Sequence, residues 1–346
     1  MLTVFTLAQK EQWDNIVHTF QNYDVYYLSD YVKGFCLHGD GEPLLFYYEG
    51  SALRGINVVM KRDIAKDPRF AGFFAEGTWF DFATPYGYGG WLLEGDGDTA
   101  PLFEEYERWC RKNRIVSEFV RFHPVLDNYS GVGDAYQIIP LGNTIAMDLR
   151  SEETIWANII SKNRNMIRKA QKNNIRIYSG RSPELYATFR EIYNATMDKD
   201  NAADYYYFPV EFYDSVLYDL ARNAQIFYAQ AEDGTIIAAS IMLAANGYMS
   251  YHLSGSRREY QHLAPSNLLL YEAARWGCAN GCRTLHLGGG VGAGEDSLYH
   301  FKKAFYREEP CRYHIGKKIF LPEQYEALMA MRTDLPESGF FPRYRA

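Results

Sequence analysis

The sequence predicts a mixed α/β (α+β) protein of two domains, each with a mostly antiparallel sheet flanked by helices. At ~150 residues per domain, a chain of 346 residues is long enough for two. Short apolar runs alternate with helical segments, and hairpin-type turn signals occur in both halves. We therefore expect one domain at residues 1–150 and a second at 151–346, with the last ~30 residues available to pack back on the first domain.

The composition excludes several classes of protein. With 47% hydrophobic and 23% charged residues, the chain is typical of a globular protein, not of a disordered, collagen-like or coiled-coil one. The 36 Lys and Arg are outnumbered by 43 Asp and Glu, which gives a net charge of −7. This balance argues against DNA as a partner, because a DNA-binding surface needs clustered cations.

Cysteine usage and the lack of long apolar runs indicate a cytoplasmic protein. The five cysteines are scattered apart from Cys278 and Cys282, and no second pair completes a zinc site, so we expect reduced thiols and no metal. The start of the sequence lacks the features of a signal peptide, and no window offers the ~20 apolar residues that a transmembrane helix needs. Peripheral membrane contact is left open.

The first half predicts the elements of one mixed sheet. Glu49-Gly50-Ser51 separates two apolar runs and is typical of a hairpin turn. In order, the expected elements are strands at Leu44–Tyr48 and Gly55–Met60, a helix at Pro101–Lys112, and strands at Ile115–Phe122 and Thr144–Leu149.

The second half predicts a similar set. Ser151 is suited to cap a helix, and Pro265 and Gly281 frame another. In order, the expected elements are a helix from Ser151, helices at Pro183–Met197 and Pro209–Arg222, strands at Gln225–Gln230, Ile236–Ala245 and Tyr248–Leu253, a helix at Pro265–Ala279, a strand at Thr284–Leu287 and a helix from about Ser297.

The helix that begins at Ser151 has a one-signed polar face. At 100° per residue, an apolar stripe lies opposite a row of cations, and no acidic residue occurs between Lys162 and Arg181. The row is either a solvated face or an anion-binding one, and its single sign in an acidic protein makes binding a serious alternative. Its members are Lys162, Arg164, Arg168, Lys169 and Lys172.

Two turns of the second half are candidate ligand sites. The turn Ser254-Gly255-Ser256-Arg257-Arg258 leads from a strand to the helix at Pro265, an arrangement that suits phosphate, although a plain connection is the simpler interpretation. Five glycines between Leu287 and Asp296 let the backbone approach a ligand or another segment closely. Residues 288–293 also match a permissive dinucleotide fingerprint, but the βαβ unit that it requires does not follow.

Two further segments carry candidate substrate groups. In the helix after the glycines, Lys302 or His300 is placed to transfer protons or hold negative charge, unless they are an ordinary surface lysine and a buried histidine. The loop Asp81–Trp91 carries Tyr86, Tyr88 and Trp91 among glycines, which predicts either a flexible substrate wall or a turn whose rings fill an interface.

Four segments, taken in order, resemble the GNAT acyltransferase superfamily in its tandem form. The nearest branch is the Fem-type family, which includes peptidoglycan interpeptide-bridge aminoacyltransferases and acetyltransferase-like relatives. The ordered set spans nearly the whole chain and is more specific than any one member. The segments are Asp81–Gly90, Ser161–Ala170, Tyr251–Gly255 and Leu287–Lys303.

The resemblance implies two GNAT-like domains, with an active cleft between them or in the second. In such folds the carrier's pantetheine lies along a splayed strand, here Tyr248–Leu253, and its pyrophosphate meets the next helix. The resemblance also points to the pair Phe301-Lys302 and to Lys33. Together with the residues singled out above, the candidate catalytic residues are Lys302 and His300. The candidate donor-binding residues are Ser254, Gly255, Arg257, Arg258, Ser266 and Asn267. The candidate substrate-binding residues are Phe301, Gly289, Gly290, Gly292, Tyr86, Tyr88, Lys33, Lys162, Arg164, Arg168 and Tyr206.

The chain departs from the family in three ways. It lacks the Gln/Arg-x-x-Gly-x-Gly/Ala carrier loop of single-domain GNAT enzymes, and it lacks the inserted helical arm of some bridge enzymes. The segment Asp204–Phe208 is aromatic where related enzymes use a basic residue for a nucleotide sugar.

The sequence thus favours an acyltransferase that moves an acyl or aminoacyl group from acyl-CoA (acetyl-CoA) or aminoacyl-tRNA to an amine. The acceptor would be a small molecule or a glycopeptide, related to the cell wall or to glycans, and tRNA is left open as a partner. A non-catalytic GNAT-like module that binds a nucleotide or glycan is the main alternative. A nicotinamide-dependent oxidoreductase is a third hypothesis, based on the glycine loop alone.

Overall fold

A computed structural model describes residues 1–333 and 335–346, which divide into two compact units. Unit 1 comprises Met1–Leu141 and Tyr313–Ala346, and unit 2 comprises Gly142–Arg312. The chain therefore crosses between the units twice, after Leu141 and after Arg312, where a single boundary near residue 150 was expected. The C-terminal residues belong to unit 1. The first crossing falls inside a strand, because the later part of that strand pairs with the sheet of unit 2.

The strands agree with the sequence prediction in the middle of each unit and extend it at the ends. Those not foreseen are the first, fourth, fifth, eighth and last. The strands are β1 Leu2–Phe5, β2 Glu42–Glu49, β3 Leu53–Asp63, β4 Phe80–Ala83, β5 Leu92–Gly95, β6 Ile115–Arg121, β7 Gln137–Asp148, β8 Arg176–Gly180, β9 Ala224–Gln230, β10 Ile236–Ala245, β11 Tyr248–Ser256, β12 Thr284–Gly288 and β13 Cys311–Ile319.

The helices differ from prediction in two ways: the first, second and last were not foreseen, and the helix from Ser151 is two helices. Ile159 and Ile160 are both extended, with ψ of 128° and 152°, and the chain turns between the two pieces. The helices are α1 Lys10–His18, α2 Ser29–His38, α3 Ala100–Lys112, α4 Glu152–Asn158, α5 Ser161–Lys172, α6 Pro183–Lys199, α7 Val210–Tyr218, α8 Pro265–Ala279, α9 Ser297–Lys303 and α10 Pro322–Ala330.

Unit 1 has a mixed, mostly antiparallel sheet in the order β1-β2-β3-β4-β6-β13, with β5 also paired to β3. Only the β4–β6 pairing is parallel among the pairings described. Its core is strongly aromatic, and Phe46, Phe82, Trp91, Tyr106 and Phe122 are all buried. Burial of these large rings stabilises the unit by removing extensive apolar surface from water.

Unit 2 has a sheet in the order β7-β12-β11-β10-β9-β8, antiparallel except for β11 with β12. One core on this sheet collects apolar side chains of β11, β12, α5 and α8, among them Met249, Leu285, Ile167 and Leu268. On β11, a side chain at Gly255 would meet the backbone of α6, where its Cβ would lie 2.8 Å from the Ile192 carbonyl oxygen. The fold class predicted from the sequence is confirmed: each unit is a mostly antiparallel sheet flanked by helices.

Candidate active site

The site in unit 2 begins where two parallel strands separate. β11 and β12 pair over three positions, the last being Ser250 opposite His286. β11 continues to Ser256, and in the described part of the chain those later residues pair with β10 alone. The opposite edge of β11 is therefore available to the backbone of an extended ligand.

A β-bulge re-aims the side chains of β11 at this point. Leu253 faces Ile241 and Tyr251 faces Met242, so His252 is the extra residue in the ladder. Bulges of this kind occur next to active sites because they redirect side chains. Burial lowers the pKa of His252 to about 3, so its imidazole is neutral at physiological pH. Sequence analysis missed His252, because a bulge depends on the register with β10 and has no signal in β11 itself.

The start of α8 is tied to two neighbouring elements. Ala264 has φ of 59° and precedes Pro265, the first helical residue. The side-chain Nδ2 of Asn267 donates to the Oδ1 of Asn163 in α5 at 2.6 Å, and the Nδ2 of Asn163 donates to the Ala304 carbonyl at 3.3 Å. Asn163 was also missed, although a buried amide on the apolar stripe of α5 is a recognisable signal.

The predicted donor-binding residues have different roles in the turn before α8. Arg257 donates to the Ile236 carbonyl at 3.0 Å and pairs with Glu191 at 2.9 Å, so it holds the turn in place. Arg258 is exposed, and Ser266 is half-buried in the first turn of α8. Ser254 accepts a hydrogen bond from the Tyr251 hydroxyl at 2.6 Å. Arg258 is thus the arginine that the turn presents to solvent.

Among the cations of the site, Lys302 is the one whose pKa is clearly lowered. Its side chain is 8% exposed, and its ammonium donates to the Gly289 carbonyl, just past the end of β12, at 2.6 Å. Burial lowers its pKa from 10.5 to about 8, while nearby Asp296 opposes that shift. A lysine in this state is still mostly charged at pH 7 and is close to exchanging its proton.

The other residues of α9 differ from Lys302 in exposure. His300 is exposed, and Phe301 is half-buried with its ring edge-on to Phe305 at 5.5 Å. Asp296 caps the helix by accepting from the Tyr299 amide at 2.9 Å. Lys302 therefore faces inward on the helix whose exposed side carries His300.

The glycine loop is folded tightly on itself. Asp296 also accepts from the Val291 amide at 3.2 Å, and a Cβ at Gly290 would collide with Asp296 and Gly294. A Cβ at Gly289 would lie 2.8 Å from the Asn143 carbonyl oxygen, and Gly292 has φ of 61°. The glycines permit close backbone packing beside Lys302.

The cationic face predicted on α5 is present. Lys162 and Arg168 are exposed and Arg164 is half-exposed, and none of the three forms an ion pair among residues 1–333 and 335–346. The guanidinium groups of Arg164 and Arg168 lie 5.8 and 5.2 Å from the centre of the Trp156 ring. This face can bind phosphate without first breaking an internal salt bridge.

The predicted residues of unit 1 form a separate group. Lys33 lies in α2, and Tyr86 and Tyr88 lie in the loop that follows β4. Tyr86 stacks on Phe35 at 5.4 Å, and Tyr88 is edge-on to Tyr26 at 5.8 Å. Of the predicted substrate-binding residues, Lys33, Tyr86 and Tyr88 lie in unit 1, and all the others share unit 2 with Lys302.

The loop that carries Tyr86 and Tyr88 is anchored, which corrects the expectation of a flexible wall. Side chains of unit 1 donate to its backbone carbonyls along almost its whole length. Arg121 donates to Thr84, Pro85 and Gly87 at 2.9–3.0 Å, Tyr31 to Tyr86 at 2.6 Å, Tyr27 to Gly90 at 2.9 Å, and Asn128 to Gly89 and Trp91 at 2.9 and 3.1 Å. The glycines of this loop serve close backbone packing. The sequence alone did not distinguish that role from flexibility.

Across residues 1–333 and 335–346, no group of three or more His, Cys, Asp or Glu is arranged to hold a metal ion. Within the same residues, no helix is both long enough and apolar enough to span a bilayer.

A known family model matches the part of the chain that carries this site. Residues 161–303 match the family model described as an acetyltransferase (GNAT) domain. Among curated proteins, none matches the chain by sequence.

Solved structures resemble the chain over most of its length. FemX shares 13% identity, over 94% of this chain and 99% of FemX, at a TM-score of 0.68. L-PGS from Bacillus licheniformis shares 14% identity, over 89% of this chain and 91% of L-PGS, at a TM-score of 0.56. The C-terminal domain of a protein described as a lysylphosphatidylglycerol synthetase from Agrobacterium fabrum shares 12% identity, over 94% of this chain and 96% of that domain, at a TM-score of 0.57. The segment that carries the splayed strands, the α8 turn and Lys302 therefore matches the model of a GNAT acetyltransferase domain, and the chain as a whole has the Fem-type tandem GNAT fold.

Proposed function

We propose that the protein is an N-acyltransferase that moves an acyl or aminoacyl group from acyl-CoA or aminoacyl-tRNA to an amine acceptor related to the cell wall or to glycans. The observation that carries this proposal is Lys302, a buried ammonium beside the splay of β11 and β12, inside the matched segment 161–303. The similarity to FemX and to a lysylphosphatidylglycerol synthetase domain supports a transferase of this kind.

The donor would lie along the open edge of β11. Extended ligands can pair with an unpaired strand edge, and phosphate groups are bound at helix starts and by arginine. The start of α8 and exposed Arg258 provide the first phosphate position. The cations Lys162, Arg164 and Arg168 of α5 provide a second, since Asn163 joins α5 to the start of α8.

The transfer needs stabilisation of an oxyanion, removal of a proton from the amine and supply of a proton to the departing carrier. The amine nitrogen attacks the carbonyl carbon, a tetrahedral intermediate forms, and the bond from carbon to the carrier's sulfur or oxygen breaks. Lys302 stabilises the negative charge that develops on the carbonyl oxygen. The amine gives up one proton, and the departing carrier takes one up.

A thermal-shift panel tests the proposal. The ligands are acetyl-CoA, CoA, aminoacyl-tRNA and UDP-sugars, because a ligand at 100 times its Kd adds about 2.7 kcal/mol of stability. We expect stabilisation by one of the two donor classes, followed by transfer to an amine. Binding of a nucleotide or glycan with no turnover of any donor would instead support the non-catalytic binding module.

A further inference from the structure

We propose that Glu118 is a positioning residue whose buried carboxylate, acting through Tyr136 and Trp91, holds one end of the aromatic loop and loosens it on protonation. The aromatic loop is residues 84–91 of unit 1. It carries two candidate substrate-binding tyrosines, so the inference rests on the proposed function. Three observations carry it: the burial of the carboxylate, the direction of its hydrogen bonds, and the place where those bonds reach the loop.

Glu118 is a buried acid without an ionic partner. It lies in the middle of β6, is 1% exposed, and forms no ion pair within the described part of the chain. The charge of Lys318, on β13, does act on it. That ammonium is engaged elsewhere, because it lies 3.4 Å from the Glu107 carboxylate and donates to the Ala135 carbonyl at 2.9 Å. Neutral donors therefore hold the charge of Glu118.

The hydrogen bonds around Glu118 have a fixed direction. The indole Nε1 of Trp91 can only donate, and it donates to the Tyr136 hydroxyl at 3.2 Å. That hydroxyl uses its own proton for the Oε2 of Glu118, at 2.8 Å. The Nδ2 of Asn57 donates to Oε1 at 3.1 Å. Both carboxylate oxygens are thus acceptors, and a charged acceptor forms a stronger hydrogen bond than a neutral one.

Trp91 is where this chain of hydrogen bonds reaches the aromatic loop. Its side chain is fully buried, and its carbonyl accepts from the Nδ2 of Asn128 at 3.1 Å. The same nitrogen donates to the Gly89 carbonyl at 2.9 Å. The indole and the backbone of Trp91 are therefore held from two sides, and a weaker hydrogen bond at Glu118 loosens one of them.

Burial opposes the charge that these hydrogen bonds favour. Desolvation raises the pKa of Glu118 above its ordinary value, although its hydrogen bonds and the charge of Lys318 oppose that shift. The other titratable groups around it are Tyr106 and Cys110 of α3, and Tyr136. Burial and the charge of Glu118 raise the pKa of all three well above their ordinary values, so they stay protonated at neutral pH. Glu118 is thus the group of this cluster that takes up a proton as pH falls.

Hydrogen exchange of the intact protein, read by mass spectrometry with no donor or acceptor present, tests the inference. Each rate is divided by the intrinsic exchange rate at the same pH. As pH falls from about 8 to about 5, we expect the amides of residues 84–91 to exchange about two- to tenfold faster. The amides of β3, Leu53–Asp63, should keep their protection, which shows that unit 1 stays folded.

Two variants and a control locate the effect. Glu118→Gln removes the charge and keeps the size, so its loop should exchange fast at both pH values. Tyr136→Phe removes the link and leaves Glu118 in place, and it should do the same even if Glu118→Gln does not fold. Tyr186→Phe is the matched control, because it removes a buried hydroxyl of unit 2 that has no hydrogen-bond partner among the described residues. It should keep the pH dependence of wild type.

The outcomes that would overturn the inference are distinct. A pH dependence that persists in Glu118→Gln would assign the effect to another group, such as His123, whose backbone amide donates to Asn128 at 2.8 Å. Loop exchange that is independent of pH in wild type, or unchanged at pH about 8 by Tyr136→Phe, would remove Glu118 from the anchoring of the loop.

These measurements need no substrate, so they separate this inference from the proposed function. The anchoring can fail while acyl transfer is found, and it can stand while every donor fails to bind. Where transfer is found, we expect Glu118→Gln to raise the KM for the acceptor with kcat little changed. An unchanged KM would overturn the role of Glu118 in positioning the loop for substrate.

Discussion

At the scale of single residues, Lys302 shows how burial prepares a charge for chemistry. Its ammonium has one described hydrogen-bond partner, the Gly289 carbonyl, and little water around it. A carbonyl stabilises the ammonium less than water does, which is why its pKa falls to about 8. A developing oxyanion would offer this ammonium a stronger partner than the ground state does, which is the condition for stabilising a transition state.

Replacing Lys302 separates its charge from its packing. Lys302→Met keeps most of the aliphatic stem, so we expect turnover to fall roughly 10²–10³-fold with donor affinity little changed. Lys303→Met is the matched control, because Lys303 only reaches the Arg307 and Glu308 carbonyls nearby. Steady-state kinetics and donor titration measure both quantities. Equal, minor losses in the two variants would remove Lys302 from the mechanism.

The lowered pKa of Lys302 also predicts a pH dependence. In the folded protein Lys302 holds its proton up to pH about 8, and in the unfolded chain up to its ordinary value of 10.5. Between these values the unfolded state binds more protons, so the contribution of Lys302 to stability rises with pH. We expect turnover of wild type to fall above pH about 8.

Chemical denaturation at pH 8 and pH 10.5 measures the stability difference between wild type and Lys302→Met. We expect it to change in favour of wild type as pH rises. A difference that is independent of pH would show that the pKa of Lys302 is not lowered.

At the scale of elements, the site depends on how α5, α8 and the chain after α9 are joined. Asn163 contacts both of the other elements, so one buried amide fixes the start of α5 against the start of α8. The same helix places its cations on the opposite, solvent face. The periodicity of α5 thus links a packing role on one side to the binding role proposed for the other.

Neutralising the cations of α5 tests that binding role. The triple variant Arg164→Gln, Arg168→Gln and Lys172→Gln should weaken the phosphate-bearing donor while the protein stays folded, because all three side chains lie on the solvent side of α5. For an RNA carrier, the slope of log affinity against log salt should fall by about 2, at ~0.7 per lost contact with a single strand. Arg222→Gln, another exposed arginine of unit 2, is the control. Unchanged donor affinity in the triple variant would leave α5 as a solvated face.

At the scale of the whole molecule, the C-terminal residues complete the buried charge network of unit 1. Asp81 is fully buried and accepts from Arg62 at 2.7 Å and from Arg345 at 2.6 Å. Arg345 also pairs with Asp67 at 2.9 Å. A buried carboxylate is tolerated only when it is paired, so the folding of β4 depends on residues more than 260 positions away.

Removing Arg345 should therefore destabilise unit 1. Arg345→Met leaves Asp81 and Asp67 short of a partner, and we expect the free energy of unfolding to fall by about 3–5 kcal/mol. Arg343→Met is the control, since that side chain is exposed. Urea denaturation of the two variants measures the difference. If the two lose the same stability, the network does not hold the C-terminal residues.

The sequence by itself determined which residues are available for the proposed chemistry and their order along the chain. The periodicity of α5 predicted its cations, the glycines predicted close backbone approach, and Lys302 was predicted as a catalytic candidate from its position after the glycines. These features depend on residue type and local spacing, which a sequence carries directly. The strands β9, β10 and β11 were also predicted, because a hairpin needs only local turn signals.

Only the tertiary structure decided which of these residues act on one another. His252 became the bulge residue through its register with β10, Arg257 was engaged by Glu191 and Ile236, and the glycines of the Tyr86–Tyr88 loop proved to be anchored by Arg121. The C-terminal residues returned to unit 1 through pairing with β6 and through Arg345. Each of these outcomes depends on contacts between distant segments and on desolvation, and neither is encoded in local periodicity.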